Sequence, residues 1–179
     1  MIILIGPSAS GKTEIAKTLI KNFNYKKFVT TTTRSIRVGE INDIDYHFVS
    51  IDEFKNKIEN DQFIEYTQYN GNYYGSTKDE ISDDKIIILE PNGFLKFKSL
   101  NVKSMVSFFV ECPKDVRKER MIERQDKEED IKRRLNNDDF IFNNDIKKEA
   151  DFVVTNDNST SLKDLANKIN KLYLEKINQ

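Results

Sequence analysis

The sequence predicts an α/β domain in which a mostly parallel sheet is flanked by helices and carries a small mixed α/β insert. Three observations predict it. Short apolar runs recur at 2–5, 28–31, 86–89, 105–110 and 152–154, and helical patterns lie between several of them, at 13–23, 113–124, 129–144 and 162–177. Strands that alternate with helices need crossover connections, so they pair in parallel and the sheet is covered on both faces. A glycine-rich segment joins the first strand to the first helix. In such a sheet that position lies at the carboxyl end of a strand, where ligands bind. Finally, the stretch from about 34 to 82 breaks the alternation and marks the insert.

Ile2-Ile3-Leu4-Ile5 is the first strand, and Gly6-Pro7-Ser8-Ala9-Ser10-Gly11-Lys12-Thr13 follows it directly. This is a phosphate-binding loop pattern in its expected context, because Glu14-Ile15-Ala16-Lys17-Thr18-Leu19-Ile20 then opens a helix. Gly6 and Gly11 permit a backbone that turns N–H groups toward a polyphosphate. The new helix points its positive end at the same anion. Lys12 can reach the β- and γ-phosphates, and the Thr13 hydroxyl can bind Mg²⁺.

The second run, 28–31, leads into Thr30-Thr31-Thr32-Thr33-Arg34-Ser35-Ile36-Arg37. Two arginines three residues apart, beside hydroxyls, suit a phosphate dianion, because guanidinium forks match phosphate geometry. Tyr46 and Tyr74 can add phenolic donors. The same residues also fit a β-branched edge strand with solvated arginines. Within the insert, 46–49, 63–66 and 72–75 read as short strands, 51–60 as a helix, and Asn70-Gly71 as a hairpin turn. Farther on, Arg117, Arg120 and Arg124 are spaced to share one helix face, with Arg133 and Arg134 on the next helix. Such arginines either pair with Glu119, Glu123 and Glu128 in solvent or spread over a transferring phosphoryl group. A second charged insert is expected near 125–129.

The bulk composition narrows the partners. The 179 residues suffice for one domain with a real core. A net charge of −1 supplies no global positive field, which argues against a general nucleic-acid binder. No run of 18 apolar residues exists, so no membrane span is expected. The chain opens on a core strand, which leaves no room for a signal peptide. Cys112, the only cysteine, can form no internal disulfide, which suits a reducing cytoplasm. With His47 as the only histidine, little is available for a soft metal site.

At these motifs the chain resembles the guanylate kinases, a family of P-loop nucleoside monophosphate kinases. The resemblance covers nearly the whole chain. It is densest in the loop at 6–13, in Thr31-Thr32-Thr33-Arg34-Ser35-Ile36-Arg37-Val38-Gly39-Glu40, in Asp45-Tyr46-His47-Phe48-Val49-Ser50, in Phe63-Ile64-Glu65-Tyr66 and in Gly71-Asn72-Tyr73-Tyr74-Gly75-Ser76. It implies a single domain with a core of 1–33 and 83–179, an acceptor-binding insert at about 34–82 and a short lid at about 121–135. It also implies transfer of the γ-phosphoryl group of ATP to GMP or dGMP with Mg²⁺, in a cytoplasmic monomer or homodimer.

By the same resemblance, Arg34, Arg37, Tyr46 and Tyr74 hold the acceptor phosphate, and Thr30, Glu65 and Ser76 face the guanine. Arg120, Arg124 and Arg134 match the arginines of the lid and its flanking helices. Asn156 matches the asparagine near the adenine of ATP.

The chain departs from the family pattern at Glu90-Pro91-Asn92-Gly93, where the family continues Asp/Glu-x-Asp-x-Gln-Gly. Glu90 keeps the first acid, which can orient a magnesium-bound water. Asn92 replaces the second acid, which reads the guanine amino group; an amide oxygen still accepts that bond, without charge assistance. Pro91 is expected to alter the start of the following helix. In the lid, Arg124-Gln125-Asp126-Lys127 replaces an Arg-Gly pattern and is about one residue shorter. Two rival readings remain: a kinase of this fold with another phosphate acceptor, which Pro91 and Asn92 permit, and a non-catalytic interaction module, against which the intact Gly11-Lys12-Thr13 speaks.

Overall fold

A computed structural model describes all 179 residues. In chain order it contains β1 (Ile2–Ile5), α1 (Lys12–Phe23), β2 (Lys26–Lys27), β3 (Thr31–Thr32), β4 (His47–Phe48), α2 (Ile51–Glu59), β5 (Phe63–Tyr69) and β6 (Asn72–Thr77). A 3₁₀ turn at Lys78–Glu80 precedes β7 (Lys85–Ile88), α3 (Pro91–Ser99), β8 (Val106–Glu111), α4 (Lys114–Glu123), α5 (Glu128–Ile141), α6 (Asn144–Glu149), β9 (Phe152–Thr155) and α7 (Leu162–Ile177). The predicted α/β architecture is present, with a five-stranded sheet ordered β2-β7-β1-β8-β9 and parallel throughout.

The alternation of side chains along β1 divides the core. Ile2 and Leu4 point to one face, where α1 and α7 supply Ile15, Leu19, Leu165, Ile169 and Tyr173. Ile3 and Ile5 point to the other, against Phe94 and Phe97 of α3, Phe28 and Phe109. Both faces of the sheet are therefore covered, which is why its inner strands β1 and β7 read as apolar runs.

A second, mixed sheet has the order β4-β3-β6-β5. Its β5–β6 hairpin turns at Asn70-Gly71, and both residues take positive φ, 48° and 76°. That backbone matches the right-handed twist of the strands and favours this residue pair. Gly75 has a separate constraint: a Cβ there would lie 2.6 Å from the Phe63 ring. Helix α2 begins on a capping box, in which Ser50 Oγ accepts from Glu53 N and Glu53 Oε2 accepts from Ser50 N. Strand β5 also packs against α3, and Ile64 joins the core face that contains Phe94 and Phe97.

Two predicted elements need correction, and a third was expected only through the resemblance. The expected strand at 28–31 is two strands. The edge of the parallel sheet is Lys26–Lys27, whereas Thr31–Thr32 belongs to the mixed sheet, and Phe28 and Val29 are buried between them. Exposed lysines on an edge strand carry no hydrophobic signal. Helix α3, expected only through the resemblance, starts directly on Pro91, which fits the N1 position, where a missing N–H costs nothing, and Phe94 and Phe97 anchor it. The expected helix at 129–144 ends at Ile141, and Asn143 Oδ1 accepts from Asp145 N and Ile146 N to start α6.

Candidate functional site

The loop between β1 and α1 owes its shape to close backbone approaches. Gly6 has φ 142°, and a Cβ there would lie 2.4 Å from the Val110 carbonyl oxygen of β8. Gly11 has φ 94°, and a Cβ there would meet Asn156 Nδ2 at 2.2 Å. Any other residue at either position collides or is strained. Ala9 occupies the left-handed region as well, at φ 58°, and packs beside Met121, Ile131 and Leu135.

Lys12 folds back into this loop, where its Nζ donates to the carbonyls of Gly6 (2.6 Å) and Pro7 (2.9 Å). Burial pushes its pKa down to about 8, opposed by the charges of Glu90 and Asp138. Thr13 is exposed on the first turn of α1. A cavity of about 380 Å³ opens over this turn, lined by Ala9, Gly11, Lys12, Thr13, Glu14, Arg120, Glu123 and Arg124. The structure thus brings the phosphate loop together with two of the arginines singled out on α4.

Those arginines do not form one solvated face. Arg120 donates to the carbonyls of Ala9 and Asn156 and to the side-chain oxygens of Asn156 and Asn158. Asn156 is buried, and its Nδ2 donates to the Ser10 carbonyl at 2.8 Å, so it is committed to shaping the loop. Arg124 and Arg134 both pair with Asp126, at 3.1 and 3.2 Å, across the turn between α4 and α5. Arg133 pairs with Asp130. Arg117 is 4 % exposed and pairs with Asp138 and Asp139 rather than with any of Glu119, Glu123 or Glu128. A larger groove of about 680 Å³ runs between α4 and α5, lined by Lys118, Ile122 and Leu135 among others, and contains no phosphate-loop residue.

On the mixed sheet, Arg34 forks onto Glu40, with Nη2 to Oε1 at 2.7 Å and Nη1 to Oε2 at 3.0 Å. Its guanidinium lies 5.3 Å from the Tyr46 ring centre and 5.5 Å from that of Phe48. The bond to Glu40 is the main reason its pKa is raised. Glu40 also accepts from the Arg37 backbone N–H at 2.8 Å, so one carboxylate closes the whole Arg34–Arg37 segment. The Arg37 side chain is exposed. Tyr46 and Tyr74 meet edge to face, 6.3 Å apart. Ser76, 2 % exposed, donates from Oγ to Glu65 Oε1 at 2.7 Å, beside a bulge between Phe63 and Glu65.

Thr30 lines a separate, largely apolar cavity of about 340 Å³ with Thr13, Ile20 and Ile88. Glu90 is the N-cap of α3, where its side chain makes no capping bond, and Asn92 is exposed on the first turn. Sequence reasoning missed Glu40 as the partner of Arg34 and Asp138 as the partner of Arg117. The second had a signal: Ile131, Leu135 and Asp138 fall at i, i+4 and i+7, so Asp138 lies on the buried stripe of α5.

A parallel sheet with a phosphate loop at its first crossover, together with a second sheet whose β3–β4 loop carries two arginines, defines a P-loop kinase. The family model described as guanylate kinase matches residues 1–172, and the chain belongs to that family. It is 32 % identical over 167 residues to a guanylate kinase of Chlamydia trachomatis serovar D, covering 88 % of this chain and 80 % of that one. To a guanylate kinase of Fusobacterium nucleatum it is 29 % identical over 173 residues, covering 87 % and 94 %. Among solved structures, guanylate kinase from Anaplasma phagocytophilum superposes with a TM-score of 0.62 at 25 % identity, covering 98 % of this chain and 85 % of that one. Shikimate kinase from Acinetobacter baumannii shares the fold, with a TM-score of 0.55 at 12 % identity over 97 % and 92 % of the chains. No helix is long and apolar enough to cross a membrane.

Proposed function

We propose that this protein transfers the γ-phosphoryl group of ATP to GMP and dGMP by in-line displacement, assisted by Mg²⁺. The observation that carries this reading is the bond from Ser76 Oγ to Glu65 Oε1 on the sheet that also carries Arg34. It fixes a carboxylate whose other oxygen can accept from the ring N–H and 2-amino group of guanine, a donor pair that adenine lacks. Thr30 and Asn92 complete the base pocket in this reading. Arg34, Arg37, Tyr46 and Tyr74 hold the acceptor phosphate, and the loop from Gly6 to Thr13, with Asn156 behind it, holds ATP.

The acceptor is already an oxyanion, so the reaction needs no general base. The chain's work is to place two highly charged phosphates in line and offset their repulsion. Lys12 does this from the phosphate loop, Arg34 and Arg37 as the insert at 34–82 closes, and Arg120, Arg124 and Arg134 as 121–135 closes as a lid. Closure of that lid and of the insert at 34–82 excludes water, which otherwise hydrolyses ATP.

The donor set suits Mg²⁺, a hard cation held mainly by nucleotide phosphates. The Thr13 hydroxyl, which lines the cavity beside Lys12, and, through a water, the Glu90 carboxylate would supply oxygens to it. An ion held there would supply positive charge to the β- and γ-phosphates. We further place the protein in the cytoplasm as a monomer or homodimer, with nucleotides rather than nucleic acid or membrane as partners.

A coupled assay of ADP release against GMP, dGMP, AMP, UMP and CMP tests the reading. Turnover with GMP and dGMP alone is expected. Use of AMP alongside GMP overturns the guanine pocket. Asn92, neutral and exposed, favours a second reading in which another phosphate-bearing acceptor is used. Inactivity on all five monophosphates supports that second reading if ATP still binds.

A further inference from the structure

Asp138 is a carboxylate on the buried stripe of α5, 6 % exposed, between the apolar lid-side cluster and the phosphate loop. Its Oδ2 accepts from the Ser8 backbone N–H at 2.8 Å and its Oδ1 from Ser8 Oγ at 3.2 Å. The charge is matched by Arg117 of α4, whose Nη1 donates to Oδ2 at 3.2 Å while Nη2 reaches Asp139 at 3.1 Å. A buried ion pair contributes little net stability compared with apolar residues of the same size. Its presence therefore calls for a reason other than packing.

The neighbouring contacts converge on the same two loop residues. Ala9 is held in the left-handed region with its methyl against Met121 of α4 and Ile131 and Leu135 of α5. Arg120 of α4 donates to the Ala9 carbonyl at 3.2 Å. Ser8 and Ala9 thus receive a charge-assisted bond, a hydrophobic seat and a guanidinium, all from the two helices that flank the lid.

We propose that Asp138, held by Arg117, is a positioning residue that fixes Ser8 and thereby the curvature of the phosphate loop around the ATP phosphates. The carboxylate touches no reacting atom; it acts through Ser8, and it ties the loop to the base of the lid. This inference rests on the proposed function only for the identity of the acceptor.

The test compares wild type with D138N and the double variant R117M/D138L, by calorimetric titration of ATP with Mg²⁺ and, separately, of GMP, and by thermal melting of each protein alone. D138N keeps the shape but sets an amide N–H₂ against Arg117. The double variant removes both buried charges together, so it folds, and it still lacks the Ser8 anchor. Both variants are expected to bind ATP on the order of tenfold more weakly, the scale of one charge-assisted hydrogen bond, and GMP with wild-type affinity. A merely structural role predicts a lower melting temperature with unchanged affinity for ATP, and that result overturns the proposal. So does an equal loss of ATP and GMP affinity. ATP binding is measured without acceptor, so a wild-type protein that phosphorylates no monophosphate refutes the proposed function while the ATP comparison still decides the role of Asp138.

Discussion

Lys12 is the residue on which the proposed phosphoryl transfer depends most directly. Its ammonium is buried against the carbonyls of Gly6 and Pro7, and burial pushes its pKa down to about 8 from an ordinary value of 10.5. Only the protonated form complements phosphate. kcat/KM for ATP, which reports free-enzyme groups, should therefore be flat below about pH 8 and fall as pH rises through it. Stability runs the other way: the unfolded lysine holds its proton up to the ordinary value, so stability rises with pH between the two pKa values. Lys12→Ala should lower kcat by at least ~10²–10³-fold in a folded protein, the scale for removing one positioned electrostatic group. Near-normal turnover in that variant removes Lys12 from the mechanism. Arg34 presents a different situation, because Glu40 already occupies both arms of its fork. Arg34→Ala and Arg37→Ala should raise KM for the acceptor far more than KM for ATP. The reverse pattern in steady-state titrations contradicts the assignment of this segment to the acceptor.

At the scale of the element, α3 shows how a local departure can be absorbed. Pro91 takes the N1 position without disturbing the helix, and Glu90, as an N-cap without a capping bond, keeps its carboxylate free near Lys12. Asn92 lies on the first turn of the same helix. In the proposed base pocket, Asn92→Asp adds a charge-assisted acceptor for guanine, and it places a carboxylate at a positive helix end, the latter adding about 0.3–1 kcal/mol of stability. GMP should bind more tightly and the melting temperature should rise slightly. A raised melting temperature with unchanged GMP affinity would show that the side chain faces away from the base. Helices α4 and α5 show the opposite case. Their charged sequences left open a solvated face or an arginine set over the phosphoryl group; Arg117 and Asp138 are buried between them and Asp126 gathers Arg124 and Arg134.

For the whole molecule, the mixed sheet and the parallel sheet are joined through short segments after β2 and before β7. Ile36, Val38, Ile41 and Ile44 stand exposed on the loop of the mixed sheet, with Val38 fully in solvent. If the insert closes over the core during turnover, a non-hydrolysable ATP analogue and GMP added together should reduce the radius of gyration in solution scattering. Either nucleotide alone should produce less contraction. An unchanged radius with both bound argues for a rigid cleft.

The chain by itself made the phosphate loop legible, because Gly6, Gly11, Lys12 and Thr13 stand at a fixed spacing between a strand and a helix, although the loop's close approaches to Val110 and Asn156 belong to the tertiary structure. It also determined the parallel architecture, through apolar runs buried on both faces, and α7, whose predicted span matches the observed Leu162–Ile177. Tertiary structure decided what depends on distant partners. Lys26–Lys27 became an edge strand because β7 pairs with it, and Thr31–Thr32 joined another sheet because β6 and β4 were there to receive it. Of Asn136, Asn137, Asp138 and Asp139, only Asp138 is buried. The helical spacing from Ile131 and Leu135 marks Asp138 as the buried one, but only the packing of α5 against the phosphate loop gives it Ser8 as a partner.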